Sequence, residues 1–429
     1  MELWLPGLLI LLTLIALGLP VAFAMGLVGF FGVASVIGTG PALSMLGQTT
    51  FDTGLSYTLS VVPLFILMGN FIVKAGMADE LYRASYAFLG HRRGGLAMAT
   101  TMACGGFSAV CGSSLATAAT MARVAMPSMR HYGYSDRLAT GVIAAGGTLG
   151  ILIPPSVILI IYGILTQQNI GQLFLAGLIP GILGIIGYMI AVRIHILFNP
   201  DDGPAAPPMP MRERFLALWG VVSVLTLFLI VIGGIYLGVF TSTEAAGIGA
   251  FGAFTIALAR RRLSIPVMWE VLVDSARTTA MMFAILIGAV LFSNFVNLAG
   301  LPGDLLGWLT ASPMAPITVI LVILGMYLVM GAVLESLSMI LLTVPIFYPV
   351  VEGLGFDLIW FGIIVVVAVE ISLITPPIGL NVFVLKSVLR DVPTGTIFRG
   401  VIPFVLIDIV RLLLLVFVPS LVLFLPSTM

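Results

Sequence analysis

The chain has 429 residues, of which 60% are hydrophobic and 8% are charged, whereas an ordinary soluble domain is about 25% charged. Its formal net charge of +0 at pH 7 gives no indication of nucleic-acid binding. Apolar runs of about 20 residues, long enough to cross a bilayer, recur from Leu3 to Leu425. The composition therefore predicts an all-α polytopic membrane protein without a separate soluble domain.

The apolar runs predict the membrane crossings in chain order. Gly18 and Pro20 directly follow the first run, and neither a basic segment nor a small-residue cleavage site accompanies it, so we expect a retained helix. The predicted crossings are residues 3–18, 20–38, 57–75, 137–165, 173–198, 215–236, 241–260, 277–299, 358–388 and 398–425.

Two further apolar stretches are too long for one straight helix. Residues 95–129 are interrupted by CGSS at 111–114, and residues 315–351 by ESLS at 335–338. Non-helical backbone at membrane depth is tolerated where protein covers it or where it lines a cavity. We predict that each stretch is a re-entrant hairpin, which enters and leaves the membrane on the same side.

The basic residues indicate the orientation of the chain. When the crossings are followed in order, every lysine and arginine except Arg411 falls on one side of the membrane. The positive-inside rule makes that side cytoplasmic. Both termini are therefore predicted to lie on the outer side.

A Pro-rich polar segment divides the chain into two similar halves. We predict a first repeat at 1–198, a cytoplasmic linker at 199–214 and a second repeat at 215–429. A shift of about 222 to 224 positions aligns NFIVKAGMADEL at 70–81 with NFVNLAGLPGDL at 294–305, and three other blocks in the same order. An odd number of crossings separates equivalent points, so the halves have opposite orientations. Inverted-topology repeats are typical of alternating-access transporters.

Each half contains a Pro-Pro pair inside an apolar helix, in GGTLGILIPPS at 146–156 and in LITPPIGLN at 373–381. Proline lacks an amide hydrogen and clashes with the carbonyl four residues earlier. In hydrocarbon, a released carbonyl costs several kcal/mol unless something satisfies it. We expect Na⁺ to do so, and an ordinary proline kink is the alternative. The released carbonyls belong to Gly150, Ile151, Ser372 and Leu373, and the hydroxyls of Thr148 and Thr375 are further oxygen ligands.

The two predicted hairpins supply the complementary chemistry. Half-helices that start at the hairpin tips point partly positive N-termini with free NH groups toward the membrane centre, which suits an anion. The sequence thus predicts a site in which helix N-termini bind a carboxylate and the carbonyl oxygens of unwound backbone bind Na⁺.

Other polar residues have more ordinary interpretations. Intramembrane carboxylates are candidate functional groups, so we hypothesise that Glu335 or Glu370 tunes a second cation site, a hydrogen-bonded structural acid being the alternative. Asp408 and Arg411 are spaced to pair on one helix face. Glu244 lies at a helix start, where a capping role is expected. No nucleotide-binding loop, catalytic triad or metal spacing occurs, so nothing indicates an enzyme.

GGTLGILIPPS, LITPPIGLNVFV, TEAAGIGA and the paired hairpins together resemble the large membrane subunit of tripartite ATP-independent periplasmic (TRAP) transporters. The resemblance covers essentially the whole chain. It implies an elevator-type transporter of the bacterial inner membrane that couples the entry of Na⁺ to uptake of a small organic anion. Two or more Na⁺ ions would be used, and no organic cofactor. The implied partners are a small four-helix membrane subunit, a periplasmic solute-binding protein and the lipid bilayer.

The resemblance also implies residues for each site. The first Na⁺ site would contain Ser113, Ser114, Gly147, Thr148, Gly150 and Pro154. The second would contain Ser336, Ser338, Ser372, Thr375 and Pro376, to which we add Glu335 and Glu370. The residues expected near the substrate are Ser114, Pro155, Ser156, Ser336, Pro377 and Asn381.

Two other functions compete with this interpretation. A stand-alone Na⁺ symporter or Na⁺/H⁺ exchanger of the same superfamily would need no binding protein. An ion channel or a proton-conducting respiratory subunit belongs to a different class, which usually places Lys, Glu and His along the membrane centre. Here no lysine or histidine falls in the middle of a predicted crossing.

Overall fold

The computed structural model of the chain describes residues 3–311, 315–331, 334–377 and 379–429. These residues form α-helices joined by short turns, and no β-strand occurs among them. Helices suit an apolar chain because each satisfies its own backbone hydrogen bonds away from water. The predicted all-α membrane fold is therefore confirmed.

The first half contains ten α-helices, with 3₁₀ turns at Thr58–Ser60 and Leu149–Ile151. They are α1 (Trp4–Ala16), α2 (Val21–Ile37), α3 (Thr39–Leu55), α4 (Val61–Lys74), α5 (Met77–Leu89), α6 (Gly95–Cys111), α7 (Ser114–His131), α8 (Asp136–Thr148), α9 (Val157–Thr166) and α10 (Ile170–Phe198).

The helices of the second half follow the polar linker, which holds one 3₁₀ turn at Pro200–Asp202. They are α11 (Met211–Tyr236), α12 (Ser242–Ala259), α13 (Ile265–Leu298), α14 (Leu301–Ala311), α15 (Pro316–Met330), α16 (Ser336–Gly353), α17 (Leu358–Ser372), α18 (Leu380–Val388), α19 (Thr394–Phe417) and α20 (Ser420–Leu423).

Within the described ranges, 6 helices are long and apolar enough to cross a membrane: α10, α11, α12, α13, α16 and α19. Together, α3 and α4 form a further candidate span that is bent by 57°. The predicted crossings 3–18 and 20–38 fall on shorter apolar helices of 13 and 17 residues. Helix α16, assigned to the second predicted hairpin, also has the length and hydropathy of a span.

Two helices extend beyond the sequence prediction. Helix α3 was not predicted, because its glycines, threonines and Asp52 dilute the apolar signal. Helix α13 begins at Ile265, well before the expected start at 277, and is 34 residues long. Its first part contains Glu270 and Asp274, which kept it out of the predicted crossing.

The two interrupted helices lie at the buried centre of the protein. Every residue of α17 is buried, and so is α8 from Leu138 onward. Helix α8 packs against α19, while α17 packs against α10, α15 and α19. The outer helices expose large apolar side chains such as Trp219 and Phe251. Such an apolar exterior suits a protein surrounded by lipid.

The helix breaks coincide with the predicted interruptions. Helix α6 ends at Gly112, whose φ of 66° is a left-handed conformation that glycine adopts without strain, and Ser113 then caps α7. In the second half Glu335 caps α16. The expected capping role of Glu244 is confirmed, because it forms a capping box with Thr241 at the start of α12.

An ion-pair cluster on the predicted cytoplasmic side joins the two halves. Arg130, at the end of α7, contacts Asp136 at 2.8 Å and Asp391 at 2.6 Å. Asp391 lies after α18, so the contact ties the end of α7 to the second half of the chain. The hydrogen bond from Arg130 holds the pKa of Asp391 below its usual range.

Candidate functional site

A cavity of about 300 Å³ lies where the tips of the two interrupted apolar stretches meet. The first tip contributes Gly112, Ser113 and Ser114, and the second contributes Glu335 and Ser336. The fold thus brings together side chains that are far apart in the sequence. The remaining wall includes Ile66, Gly69, Asn70 and Val73 of α4, Thr278 and Met282 of α13, and Ile151 and Leu373 at the two helix breaks.

The first tip presents the N-terminus of α7, capped by an uncharged side chain, to this cavity. The hydroxyl oxygen of Ser113 accepts a hydrogen bond from the backbone NH of Ala116 at 3.4 Å. The first turn of α7 contains no acidic residue, and the helix is 18 residues long. Its partial positive charge is therefore not balanced by a side chain and favours an anion.

The second tip differs, because a carboxylate already occupies its helix start. Glu335 Oε2 accepts from the backbone NH of Ser338 at 3.1 Å, and Glu335 Oε1 accepts from the Ser336 hydroxyl at 3.0 Å. This carboxylate balances the partial positive charge of α16. The two helix N-termini are thus chemically unequal.

At the first helix break, side chains of the chain itself satisfy part of the backbone. The Ser156 hydroxyl donates to the carbonyl of Ile151, and its oxygen accepts from the backbone NH of Leu159 at 3.3 Å. Ser156 therefore caps α9 and binds a carbonyl that we expected Na⁺ to complete. A carbonyl oxygen has two lone pairs, so one is left for a further partner.

The second break has similar internal donors. The backbone NH of Asn381 donates to the Leu373 carbonyl at 3.1 Å. The Thr375 hydroxyl donates to the Ser372 carbonyl at 3.2 Å, and the Ser372 hydroxyl donates to Val369 at 2.6 Å. As at Ile151, protein donors already bind carbonyl oxygens that we expected a cation to bind.

The two diproline pairs differ in their surroundings. Pro154 and Pro155 are buried, whereas Pro376 and Pro377 are exposed. A Cβ at Gly112 would lie 2.6 Å from the Pro155 carbonyl oxygen, so the first tip rests directly on the first break. The symmetry expected from the sequence therefore does not extend to the burial of these prolines.

Glycines of the first break allow close approach of the hairpin tip. A Cβ at Gly147 would lie 2.8 Å from the Ala118 side chain. A Cβ at Gly150 would lie 2.8 Å from the Ser113 carbonyl oxygen and 3.1 Å from the Ser114 nitrogen. Any side chain at position 150 must therefore displace the backbone of the tip.

Replacing Gly150 with Ala is expected to lower transport by about 10- to 100-fold, because a misplacement of about 1 Å can cost that much. The matched control is Gly325→Ala in α15, where a Cβ meets nothing within 4 Å. Initial uptake rates of the two variants measure the effect. Equal rates would contradict the close contact between the 3₁₀ turn Leu149–Ile151 and the first tip.

Asn381 joins the second half to the first tip. Its Oδ1 accepts from the Ser114 hydroxyl at 2.9 Å, and its Nδ2 donates to the Ala144 carbonyl at 3.1 Å. The side chain is fully buried. Asn381 was expected near the substrate; in this arrangement it holds Ser114 at the cavity.

A buried ion-pair cluster lies behind the cavity. The expected pairing of Asp408 with Arg411 is present at 2.9 Å, and Glu370 contacts the same guanidinium at 2.5 Å. Tyr188 donates from Oη to Asp408 Oδ2 at 2.5 Å and lies 3.2 Å from the Thr148 hydroxyl. Glu370 and Thr148, which the sequence assigned to separate cation sites, are therefore linked.

Sequence reasoning missed several of these residues. Tyr188 carries no pattern that separates it from other aromatic residues of an apolar helix. Asn70 and Thr278 line the cavity but were not predicted. Asn70 opens one of the aligned repeat blocks, so the repeat could have indicated it.

The fold corresponds to that of a known class of membrane transporters. A similar solved structure is the YdaH transporter of Alcanivorax borkumensis, with a TM-score of 0.64 and 14% sequence identity. The similarity covers 88% of this chain and 87% of that chain. At this identity the likeness establishes the fold alone.

Sequence comparison gives the family. Residues 8–421 match the family model described as "Tripartite ATP-independent periplasmic transporter, DctM component". The C4-dicarboxylate TRAP transporter large permease protein DctM of Pseudomonas aeruginosa is 37% identical over 405 residues, 93% of each protein. The sialic acid TRAP transporter large permease protein SiaM of Vibrio cholerae is 33% identical over 420 residues, 97% of this chain and 96% of its own. The chain belongs to this family: it is a TRAP transporter large permease and not an enzyme.

Proposed function

We propose that this permease carries out Na⁺-coupled uptake of a small organic anion that a periplasmic binding protein delivers. The anion binds at the cavity between the two hairpin tips, and the tips with their interrupted helices move as one unit across the membrane in an elevator mechanism.

The charge of the cavity carries the proposal. Among the described residues that line it there is neither a lysine nor an arginine, while Glu335 adds a carboxylate. An organic anion therefore finds the N-terminus of α7 and neutral donors, the serine and Thr278 hydroxyls and the Asn70 amide, as favourable partners among these residues. Cations bound beside the anion would supply the missing positive charge, and this supports the proposed coupling to Na⁺.

The proposed cation sites consist of oxygen ligands, which suit a hard cation. The first site uses Ser113, Ser114, Gly147, Thr148, Gly150 and Pro154, supported by the contact between position 150 and the tip. Glu370 Oε1 is buried without a hydrogen-bond partner in the described part of the chain, which supports its use by the second site. The second site uses Glu335, Ser336, Ser338, Glu370, Ser372, Thr375 and Pro376.

The proposed substrates are carboxylates such as C4-dicarboxylates, sugar acids and sialic acids. A volume of about 300 Å³ is at the small end of ligand pockets, and the names of two relatives refer to C4-dicarboxylate and to sialic acid. The anion would lie against the N-terminus of α7, near Ser114, Pro155, Ser156, Ser336, Pro377 and Asn381.

The packing of the helices supports a division into a static and a moving part. Helices α2 and α13 pack along each other, and so do α4 and α12. We assign these pairs to the static frame, which the small membrane subunit and lipid would cover on its apolar outside. Helices α6–α9 and α15–α18 would form the moving part, with the inverted repeat as its basis.

The test is uptake of radiolabelled succinate and of sialic acid into liposomes that contain the chain, its small subunit and a binding protein. An inward Na⁺ gradient should drive accumulation, and a choline gradient should not. Uptake that persists without Na⁺ would disprove the coupling. Uptake by the chain alone, without the binding protein, would favour a stand-alone symporter instead.

Replacing Glu335 with Gln is expected to raise the Na⁺ concentration for half-maximal uptake several-fold, because a neutral amide attracts a cation less than a carboxylate does. Glu352→Gln is the matched control, since Glu352 lies exposed near the other end of the same helix. Measurements of uptake rate against Na⁺ concentration give both values. An unchanged value for Glu335→Gln would exclude this carboxylate from the second site.

A further inference from the structure

The two helix breaks are joined by one continuous chain of polar contacts. It runs from Thr148 to Tyr188 at 3.2 Å, to Asp408 at 2.5 Å, to Arg411 at 2.9 Å and to Glu370 at 2.5 Å. We propose that this chain couples the two Na⁺ sites, so that Na⁺ binding at one site favours binding at the other, and that Tyr188 is the positioning residue that connects them. The inference rests on the proposed Na⁺-coupled function.

The direction of the hydrogen bonds gives Tyr188 its role. A phenol has one proton, and the Tyr188 hydroxyl donates it to Asp408 Oδ2. Tyr188 Oη can then only accept from Thr148. The Thr148 proton has two acceptors within reach, Tyr188 Oη at 3.2 Å and the Ala145 carbonyl at 2.8 Å. Donation to Tyr188 completes the hydrogen-bonded chain, and either direction leaves lone pairs on Thr148 Oγ1 for a cation.

The guanidinium of Arg411 transmits the effect to the other break. Its Nη2 contacts both Glu370 Oε2 and Asp408 Oδ1. Glu370 is two residues before Ser372, at the end of α17, and its Oε1 has no hydrogen-bond partner in the described part of the chain. When a cation attracts the Glu370 carboxylate, Arg411 shifts with it, and the position of Asp408 and hence of Tyr188 changes.

Burial makes the coupling strong. Thr148, Tyr188, Glu370 and Asp408 are each 0% exposed, and Arg411 is 4% exposed. Away from water, hydrogen bonds polarise one another, and a network is worth more than its separate pairs. Coupling between two binding events is reciprocal by thermodynamic necessity, so either Na⁺ should promote binding of the other.

The test compares Tyr188→Phe with Tyr162→Phe in the reconstituted transporter. Tyr162 is the matched control, because it is also 0% exposed and loses one buried hydrogen bond, to the Leu358 carbonyl at 2.6 Å. In Tyr188→Phe the half-saturating Na⁺ concentration should rise by roughly five- to tenfold, a typical size of a coupling. Its Hill coefficient for Na⁺ should fall to about 1, the value for independent sites. Tyr162→Phe should keep the wild-type values of both.

Asp408→Asn is the second variant, for use if Tyr188→Phe does not fold. The neutral amide of Asn can donate a hydrogen bond to Tyr188 Oη, and the Tyr188 hydroxyl proton can then point toward Thr148. The cooperativity of Na⁺ binding should therefore fall in this variant too. Wild-type cooperativity in both variants, or an equal loss in Tyr162→Phe, would overturn the coupling and leave the proposed function intact. A wild-type transporter without any Na⁺ dependence would instead remove the proposed function.

Discussion

Replacing Arg411 with Met is expected to destabilise the protein by about 3–5 kcal/mol, the usual cost of removing one partner from a buried ion pair. The guanidinium contacts two carboxylates, Glu370 at 2.5 Å and Asp408 at 2.9 Å, and each is 0% exposed. Without Arg411 both carboxylates would be left in the core with no opposite charge. Thermal unfolding of the purified chain in lipid nanodiscs measures the loss.

The control variant removes all three charges of the buried cluster at once. A triple variant, Arg411→Met with Glu370→Gln and Asp408→Asn, keeps the volumes and leaves no buried charge. Replacing a whole buried ion cluster is often neutral or stabilising, so the triple variant should recover much of the lost stability. If Arg411→Met alone were as stable as the wild type, the three groups would not form the buried cluster described above.

Replacing Asn381 with Ala is expected to lower uptake at least about tenfold. The change leaves the Ser114 hydroxyl and the Ala144 carbonyl without their partner, and each unpaired buried group costs about 1–3 kcal/mol. Because Ser114 lines the cavity at the first tip, the site itself loses its geometry. Uptake rates at saturating Na⁺ measure the effect.

Asn169→Ala is the control for this change. Asn169 also makes two hydrogen bonds, to the backbone NH groups of Gly171 and Gln172, but it caps α10 away from the cavity. It should cost stability without a comparable loss of uptake. In thermal unfolding, the double variant Ser114→Ala with Asn381→Ala should be no less stable than Asn381→Ala alone, because the two residues share one hydrogen bond.

Most of the fold could be predicted from the spacing of apolar residues and of helix-breaking residues. Gly112 and the pair Pro154–Pro155 mark the first helix breaks, since each disfavours continuation of a helix. Helix α3 could not be predicted in the same way. Only Ala42 and Thr53 of its 17 residues are buried, and its own composition is typical of a loop or an amphipathic segment.

The candidate site could be predicted only in part, because sequence gives residue types and not their partners. Serines at both tips and Glu335 do line one cavity. Two of its contacts depend on the direction in which a side chain points. Glu335 caps a helix, and the Ser156 hydroxyl donates a hydrogen bond to the Ile151 carbonyl. The contact of Tyr188 with Asp408 joins positions 220 apart in the chain, and no local pattern records it.

The length of α13 limits how this helix fits the membrane. A helix of 34 residues extends about 51 Å at 1.5 Å per residue, whereas the hydrocarbon layer is about 30 Å thick. The helix must therefore lean, or leave its charged first third among the lipid headgroups, where Glu270, Asp274 and Arg277 are hydrated. Lipids with longer acyl chains would set α13 more upright, and α2, which packs along it, would follow. The acyl-chain length of the host membrane thus helps to determine the tilt of the paired helices α13 and α2.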